Sequence, residues 1–365
     1  MKIVFLDLDD IKNPQLAAGQ ARATLEVGSR FAKMGHKVVS ICSKYPGYKD
    51  RTENGIKYIH IGVNTGNIQV NNAFYILTLP FVVATLKADI IIECFTAPIS
   101  SLFSPLFTKI PVVALPTVFA GKQFSEKYHL PFVWFEALGC KLYKYFMPYI
   151  DTDETLFRKY NKTAISRMIP QGVGDEYFKI KQREGKYILY LGRLDKAQKG
   201  IDLLLKAYKT VANKIKYPLV IAGGGPDELK LKKMVTDLGL ESKVTFAGMV
   251  KGEVKNKLLS EAHFVAFPSR YDNLPLFSIE AIAAGLPLVT FSIPEFGWLK
   301  PEFSFQAKPF NTREYGQLLL STSKSAKLSD MKKFARNYAK KFKWQKVAEQ
   351  MVSFFEEILK MEAKI

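Results

Sequence analysis

Short, almost wholly apolar runs alternate with amphipathic helical stretches along this chain, and the alternation occurs twice. In the first half, Lys2–Leu6, Lys37–Cys42, Ile56–Ile61, Ala88–Glu93 and Val112–Leu115 read as strands. The last two are nearly continuous in apolar character, as in parallel sheets covered on both faces. After the first strand, a loop through Pro14 and Gly19 leads to a helix over Gln20–Met34. Ala21, Leu25, Gly28 and Ala32 share one face of it, and Gly35 stops it.

The second half repeats the scheme. Tyr187–Gly192, Pro218–Ala222, Val244–Ala247, Phe264–Pro268 and Leu288–Phe291 read as strands. Helices over Ile201–Lys214 and Pro226–Leu238 separate the first three. Strand–helix alternation of this kind predicts an α/β protein of two Rossmann-like, doubly wound domains facing across a cleft. The joint falls within Pro170–Lys186, which mixes Gly, Pro and charge. Expected boundaries are 1–178 and 179–340, with 341–365 as a terminal helix. That helix carries Val347, Met351, Phe354 and Ile358 on one face.

A length of 365 residues agrees with two domains. Cys42, Cys94 and Cys140 are far apart and odd in number, so they form neither a disulfide framework nor a metal knuckle. That favours a reducing, cytoplasmic setting. The first residues include Asp7, Asp9 and Asp10 and do not read as a signal peptide. The most apolar run, Ala73–Leu86, is too short to span a bilayer and contains Pro80. Net charge is +19, so polyanions attract the surface: a phosphate-bearing substrate or an anionic membrane. No RNA-binding signature, zinc-ligand spacing or basic heptad region appears, which argues against nucleic acid.

The richest chemistry lies in Pro268–Pro287. Asp272 sits in a Pro/Asn loop, and Glu280 sits eight positions on, in an Ala-rich helix. Pro275 suits the first turn of that helix and Gly285 its left-handed cap. The helix N-terminus then offers positive dipole and free N–H groups. A ligand with hydroxyls at one end and phosphates at the other fits this arrangement, and a nucleotide-sugar is such a ligand. Arg193 and Lys199 follow a strand's carboxyl end, where open α/β sheets bind ligands. Two cations there can neutralise a diphosphate, Arg as a planar fork and Lys as a point charge. Gly223-Gly224-Gly225 could let backbone approach a nucleotide, and Asp272 could instead cap the Pro275 helix.

These motifs together carry a resemblance. Gly192-Arg193-Leu194 with Lys199-Gly200, Ile221 to Pro226, Val244 to Gly248, and Pro268 to Pro287 resemble the retaining glycosyltransferases of family four, which have the GT-B fold. Ile169 to Val173 resembles that family's interdomain Ile-Pro-Asn-Gly-Val. Phe342 to Gln350 looks like its terminal helix, which crosses back to the first domain. The resemblance implies metal-independent transfer of a hexose from a nucleotide-diphosphate sugar to an acceptor hydroxyl, with no cofactor. The acceptor would be a glycan, a lipid-linked sugar or a small molecule. Arg193 and Lys199 would hold the diphosphate, Asp272 the transferred sugar and Glu280 the ribose. Asn273, Leu274 and Leu276 would contact sugar or phosphate through backbone. Gly19, with Ala18, would match a Gly-Gly loop, and Gly248 would flank the base.

Departures from the family pattern exist. Asp272 replaces Glu, Ala18 replaces the first loop Gly, and Gln171 replaces Asn. The His often found at first-domain strand ends is missing: Glu93 to Thr96 and Pro116-Thr117 stand there. A non-catalytic relative that only binds sugar nucleotides or glycans is therefore an alternative. Asp7-Leu8-Asp9 offers a second one, a phosphohydrolase with Asp7 as nucleophile and Asp9 as acid/base. The four histidines show no ligand spacing. Phe119–Tyr149 is dense in aromatics interspersed with Lys122, Lys127, Lys141 and Lys144, a composition that suits either core helices or the anionic inner face of a membrane.

Overall fold

The computed structural model describes residues 1–16, 19–95, 103–116, 119, 121–272 and 274–364. The readings on Ala18, Thr96, Thr117 and Asn273 lie outside the described residues. The chain divides into two compact units, Met1–Gln171 with Trp344–Ile365, and Gly172–Lys343.

The strands of the first unit are β1 (Lys2–Leu6), β2 (Lys37–Ser43), β3 (Arg51–Glu53), β4 (Ile56–Ile61), β5 (Ile90–Phe95), β6 (Val112–Pro116), β7 (Tyr145–Phe146) and β8 (Ile165–Ser166). They form one sheet in the order β3-β4-β2-β1-β5-β6-β7-β8. Pairing is parallel except for β3, which runs antiparallel at the edge. Side chains alternate between the two faces of a strand. Phe5 stacks on Phe31 of the helix Gly19–Lys33, and Phe31 meets Phe355 of the helix Trp344–Glu362 edge-on at 5.9 Å. The terminal helix thus belongs to the first unit, burying Trp344, Val347, Met351, Phe354 and Ile358. Each such side chain contributes on the order of 2 kcal/mol by leaving water.

Val4 and Leu6 point to the opposite face. They join one core with Tyr75, Leu79 and Val83 of the helix Ile68–Thr85, Cys140 of the helix Phe132–Leu142, and Tyr143 just after it. The helix Ile68–Thr85 starts earlier than the apolar run suggested, because Asn67 caps it through Gln69 N and Val70 N. Its 18 residues make it long and apolar enough to cross a membrane. Its inner face is nonetheless anchored to the sheet, and the Tyr75 hydroxyl donates to Ile41 O at 3.1 Å.

The second unit holds β9 (Tyr187–Leu191), β10 (Leu219–Ala222), β11 (Val244–Gly248), β12 (Ala262–Phe267), β13 (Leu288–Phe291) and β14 (Ser304–Ala307). All pair in parallel, in the order β11-β10-β9-β12-β13-β14. Ile188, Leu189, Phe264, Val265 and Leu288 are fully buried, as expected of strands covered on both faces. The chain enters and leaves this unit side by side: Val173 N donates to Phe342 O at 2.7 Å, and Lys343 pairs with Asp175 at 2.7 Å. From β9 the chain winds outward through β10 and β11, then returns to β12 and winds the other way. The connections after β9 and β12 therefore diverge, opening a crevice at their carboxyl ends, the topological switch point. In the first unit the same reversal lies between β1 and β5.

Candidate functional site

The second unit's switch point collects most of the residues singled out from sequence. Arg193 follows β9, and Lys199 ends the short helix Lys196–Lys199. Asp272 and Leu274 follow β12, and Leu276 opens the helix Leu276–Ala283. The Lys199 ammonium donates to Asp272 Oδ2, as does Ser269 Oγ at 3.2 Å. Lys199 Nζ also lies 5.8 Å from the Phe267 ring centre.

Local sequence makes this contact. Asp195 caps the 196–199 helix through Gln198 N, and Gly200 ends it at φ +64. A Cβ at Gly200 would lie 2.2 Å from the Pro268 carbonyl oxygen, so only glycine lets the two loops touch. Arg270 then latches them. Its backbone N donates to Gln198 O at 2.8 Å, and its guanidinium donates to Lys196 O and, as a fork, to both Asp202 oxygens at 2.7 Å. Burial works against the Asp202 charge, yet Arg270 holds its carboxyl below the usual range. Sequence reading missed Arg270 and Asp202. Arg270 lies inside the motif, but its partner is 68 residues away.

Arg193 is exposed and pairs with no carboxylate among the described residues. Tyr190, at the end of β9, donates its hydroxyl to Arg193 O at 2.9 Å and so fixes the backbone there. Burial pushes the Tyr190 phenol well up, and the Asp272 and Asp195 charges add to it. Tyr271 is raised by burial and by Asp195 and Asp272, while Arg193 works in the opposite sense, which puts all three charges around this ring.

The glycine triplet serves packing. Gly223, at φ +131, has the Gly192 carbonyl oxygen 1.9 Å from where its Cβ would be. Leu194 N donates to Gly224 O at 3.0 Å, and Gly223 N to Gly248 O at 2.7 Å. These bonds hold the loops after β9, β10 and β11 against one another. The capping role considered for Asp272 is corrected: the helix Leu276–Ala283 has no side-chain cap, and the Asp272 carboxylate is engaged by Lys199 and Ser269. Gly285 does terminate that helix at φ +85. Glu280 bonds Lys255 Nζ at 2.5 Å, and Lys255 donates to the Tyr177 hydroxyl at 2.9 Å. Lys255 carried no sequence signal, being a lysine on an ordinary helix face.

Gly19 lies in the first unit, opening the helix after β1. Next to it, Gln20 donates to Cys94 Sγ at 3.2 Å and accepts from the Tyr149 hydroxyl at 2.9 Å. Thr24 Oγ1 donates to Asp7 Oδ2 at 2.5 Å. Burial, opposed by this bond and reinforced by the Asp9 charge, raises the Asp7 pKa to about 7. Asp10 is saturated: Arg51 forks onto it at 2.6 and 2.7 Å, His60 Nε2 lies at 3.0 Å and the Tyr45 hydroxyl at 3.0 Å. Asp7 is buried and ties Thr24 to the sheet, which is a poor setting for a nucleophile that must reach a phosphoester.

Residues 175–297 match the sequence profile of the family Glycosyl transferases group 1. An uncharacterised glycosyltransferase of Methanocaldococcus jannaschii is 38% identical over 112 residues, 31% of this chain and 28% of that protein. Mannosylfructose-phosphate synthase of Agrobacterium fabrum is 30% identical over 217 residues, 52% of this chain and 47% of that protein. The chain thus spans less than half the length of these relatives. Two solved structures share its fold. Sucrose-phosphate synthase from Thermosynechococcus elongatus superposes with TM-score 0.79 at 17% identity, over 99% of this chain and all of that one. Anabaena HepE in complex with UDP-glucose superposes with TM-score 0.74 at 13% identity, over 98% of this chain and all of that one. The segment 175–297 is thus similar to the glycosyl transferases group 1 family, in a chain with a GT-B fold.

Proposed function

We propose that the protein is a retaining hexosyltransferase that moves a sugar from a nucleotide-diphosphate donor to an acceptor hydroxyl. The observation that carries this reading is the contact of Lys199 with Asp272 at the β9/β12 switch point, inside the segment that matches the family. A cation meets a sugar-binding carboxylate where an open α/β sheet takes its ligands.

The residues divide the work by chemistry. Arg193 and Lys199 neutralise the diphosphate, whose charge grows as the bond from the anomeric carbon to the phosphate oxygen breaks. Asp272 accepts hydrogen bonds from hydroxyls of the transferred sugar, and Glu280 accepts from the ribose. The backbone of Asn273, Leu274 and Leu276 is assigned to contact phosphate or sugar. Gly248 flanks the base, and Gly19 leaves room beside the diphosphate and the acceptor. The acceptor oxygen bonds to the anomeric carbon on the face the leaving group vacates, and its proton passes to the departing phosphate oxygen. No step requires a first-domain histidine or a bound metal. Three buried, unpaired thiols support a cytoplasmic setting.

Thermal-shift titration with UDP-glucose, GDP-mannose and related donors tests the reading, because a ligand that binds only the native state raises the melting temperature. A productive donor should raise it in wild type and not in Lys199→Ala. Donor plus a glycan or glycolipid acceptor should then release nucleoside diphosphate, with the donor's anomeric configuration kept in the product by NMR. Binding without turnover across acceptors would favour the non-catalytic alternative. No binding by any nucleotide-sugar would end the proposal.

A further inference from the structure

The first unit carries two unpartnered apolar helix faces on the same side of its sheet. The helix Ile68–Thr85 buries Tyr75, Leu79 and Val83 on that face of the sheet and turns Val70, Phe74, Leu77 and Phe81 outward. Phe81 is 77% exposed and Leu77 64%. The helix Phe132–Leu142 buries Gly139 and Cys140 against the same core and presents Trp134, Phe135 and Leu138, with Trp134 80% exposed. Both stripes repeat at three and four residues, so each is a continuous helical face. Large contiguous apolar patches on a water-facing surface mark an interaction site.

Charge selects the occupant. No charged side chain occurs from Ile68 to Leu86. Trp134, Leu138 and Tyr160 line a groove of about 530 Å³ whose one charged lining residue is Lys141. Lys159 lies 5.8 Å from the Tyr160 ring centre, and Lys87 follows the first helix. Glu136 is turned inward, accepting from Gly121 N at 2.9 Å. An aromatic-rich apolar face rimmed by lysines suits an anionic bilayer, where rings enter the headgroup layer and ammonium groups meet lipid phosphates. A second copy of this chain would instead bring like-charged rims together. We infer that these two helix faces dock the first unit onto an anionic lipid surface, lying in the interface rather than spanning it. The inference stands on the first unit alone and does not depend on the reaction proposed above.

Flotation of the full chain with vesicles of phosphatidylcholine alone, or with about a third phosphatidylglycerol, tests it. Wild type should float with the anionic vesicles and stay at the bottom with the neutral ones. Phe81→Glu and Trp134→Glu should each reduce flotation about tenfold, at exposed positions where melting curves verify folding. A second measurement is quenching by brominated anionic lipid: it should quench the exposed Trp134 and be lost in Trp134→Phe, since Trp344 is buried and the half-buried Trp298 belongs to the second unit. Absence of flotation, equal flotation with neutral vesicles, or full flotation of both variants would overturn the inference. A concentration-dependent dimer that the same variants dissociate, without flotation, would overturn it in favour of self-association.

Discussion

Lys199 and Asp272 lie 73 residues apart in sequence and form an ion pair at the end of the second unit's central strands. Their side chains are 14% and 9% exposed, so the pair is shielded from solvent screening. Each partner is held by a separate device, Lys199 by the Gly200 turn and Asp272 by Ser269.

Removing the ammonium should therefore strike catalysis harder than folding. Lys199→Ala is expected to lower kcat/KM about 100–1000-fold, the usual effect of losing one charge-stabilising donor. Unfolding free energy should drop by about 2–3 kcal/mol, because Asp272 is left as a buried charge that keeps only its Ser269 bond. Steady-state kinetics on the best donor, with denaturant melts alongside, measure both. A variant that turns over normally would remove Lys199 from the machinery.

Arg270 gives a different expectation. Its fork onto Asp202 and its bond to Lys196 O clamp the two loops that carry Lys199 and Asp272. Arg270→Ala should cost about 2–4 kcal/mol, because it strands a half-buried carboxylate. Arg270→Lys keeps the charge but not the planar fork and should recover less than half of that loss. If the lysine variant melts like wild type, fork geometry is irrelevant and charge alone suffices.

How much of this was readable in advance depends on the range of the interaction. β9, β10, β12 and β13 announce themselves because a strand buried on both faces is apolar along most of its length. β7 and β8 are two residues each, and β3 is a polar edge strand of three, so none has a hydrophobic period to detect. Lys199 and Asp272 could be named from their motifs, but their contact could not, since nothing local to 199 encodes what 272 does. Arg270–Asp202 and Glu280–Lys255 are hidden for the same reason. The helix Ile68–Thr85 misled in another way: its start is set by the Asn67 cap, outside the apolar run itself.

Lys255 should matter for donor binding although it lies outside every motif. Its bond to Glu280, backed by Tyr177, fixes the carboxylate proposed to take the ribose. Glu280→Gln is expected to weaken nucleotide binding about tenfold, the scale of one charge-assisted hydrogen bond. Lys255→Ala should weaken it about threefold or more, by loosening Glu280's orientation. Calorimetric titration with the nucleoside diphosphate reads both. Equal affinity in all three proteins would show that Glu280 does not touch the nucleotide.

Asp7 makes stability depend on pH with an unusual sign. Its carboxyl titrates near 7 in the folded protein against 3.8 as its ordinary value, with burial the main cause. Below about pH 4 both folded and unfolded chains hold the proton, and Asp7 costs nothing. As pH rises from 4 to 7, the unfolded chain ionises first, so the fold loses up to about 4 kcal/mol from this one group. Above 7 both forms are ionised and the loss stops growing. Asn cannot ionise, and it keeps both contacts when its oxygen accepts from Asp9 N and its amide donates to Thr24 Oγ1. Asp7→Asn should therefore match wild type near pH 4 and exceed it by a few kcal/mol at pH 8, by denaturant melts across that range. A stability gap that stays constant from pH 4 to 8 would mean that Asp7 ionises normally in the fold.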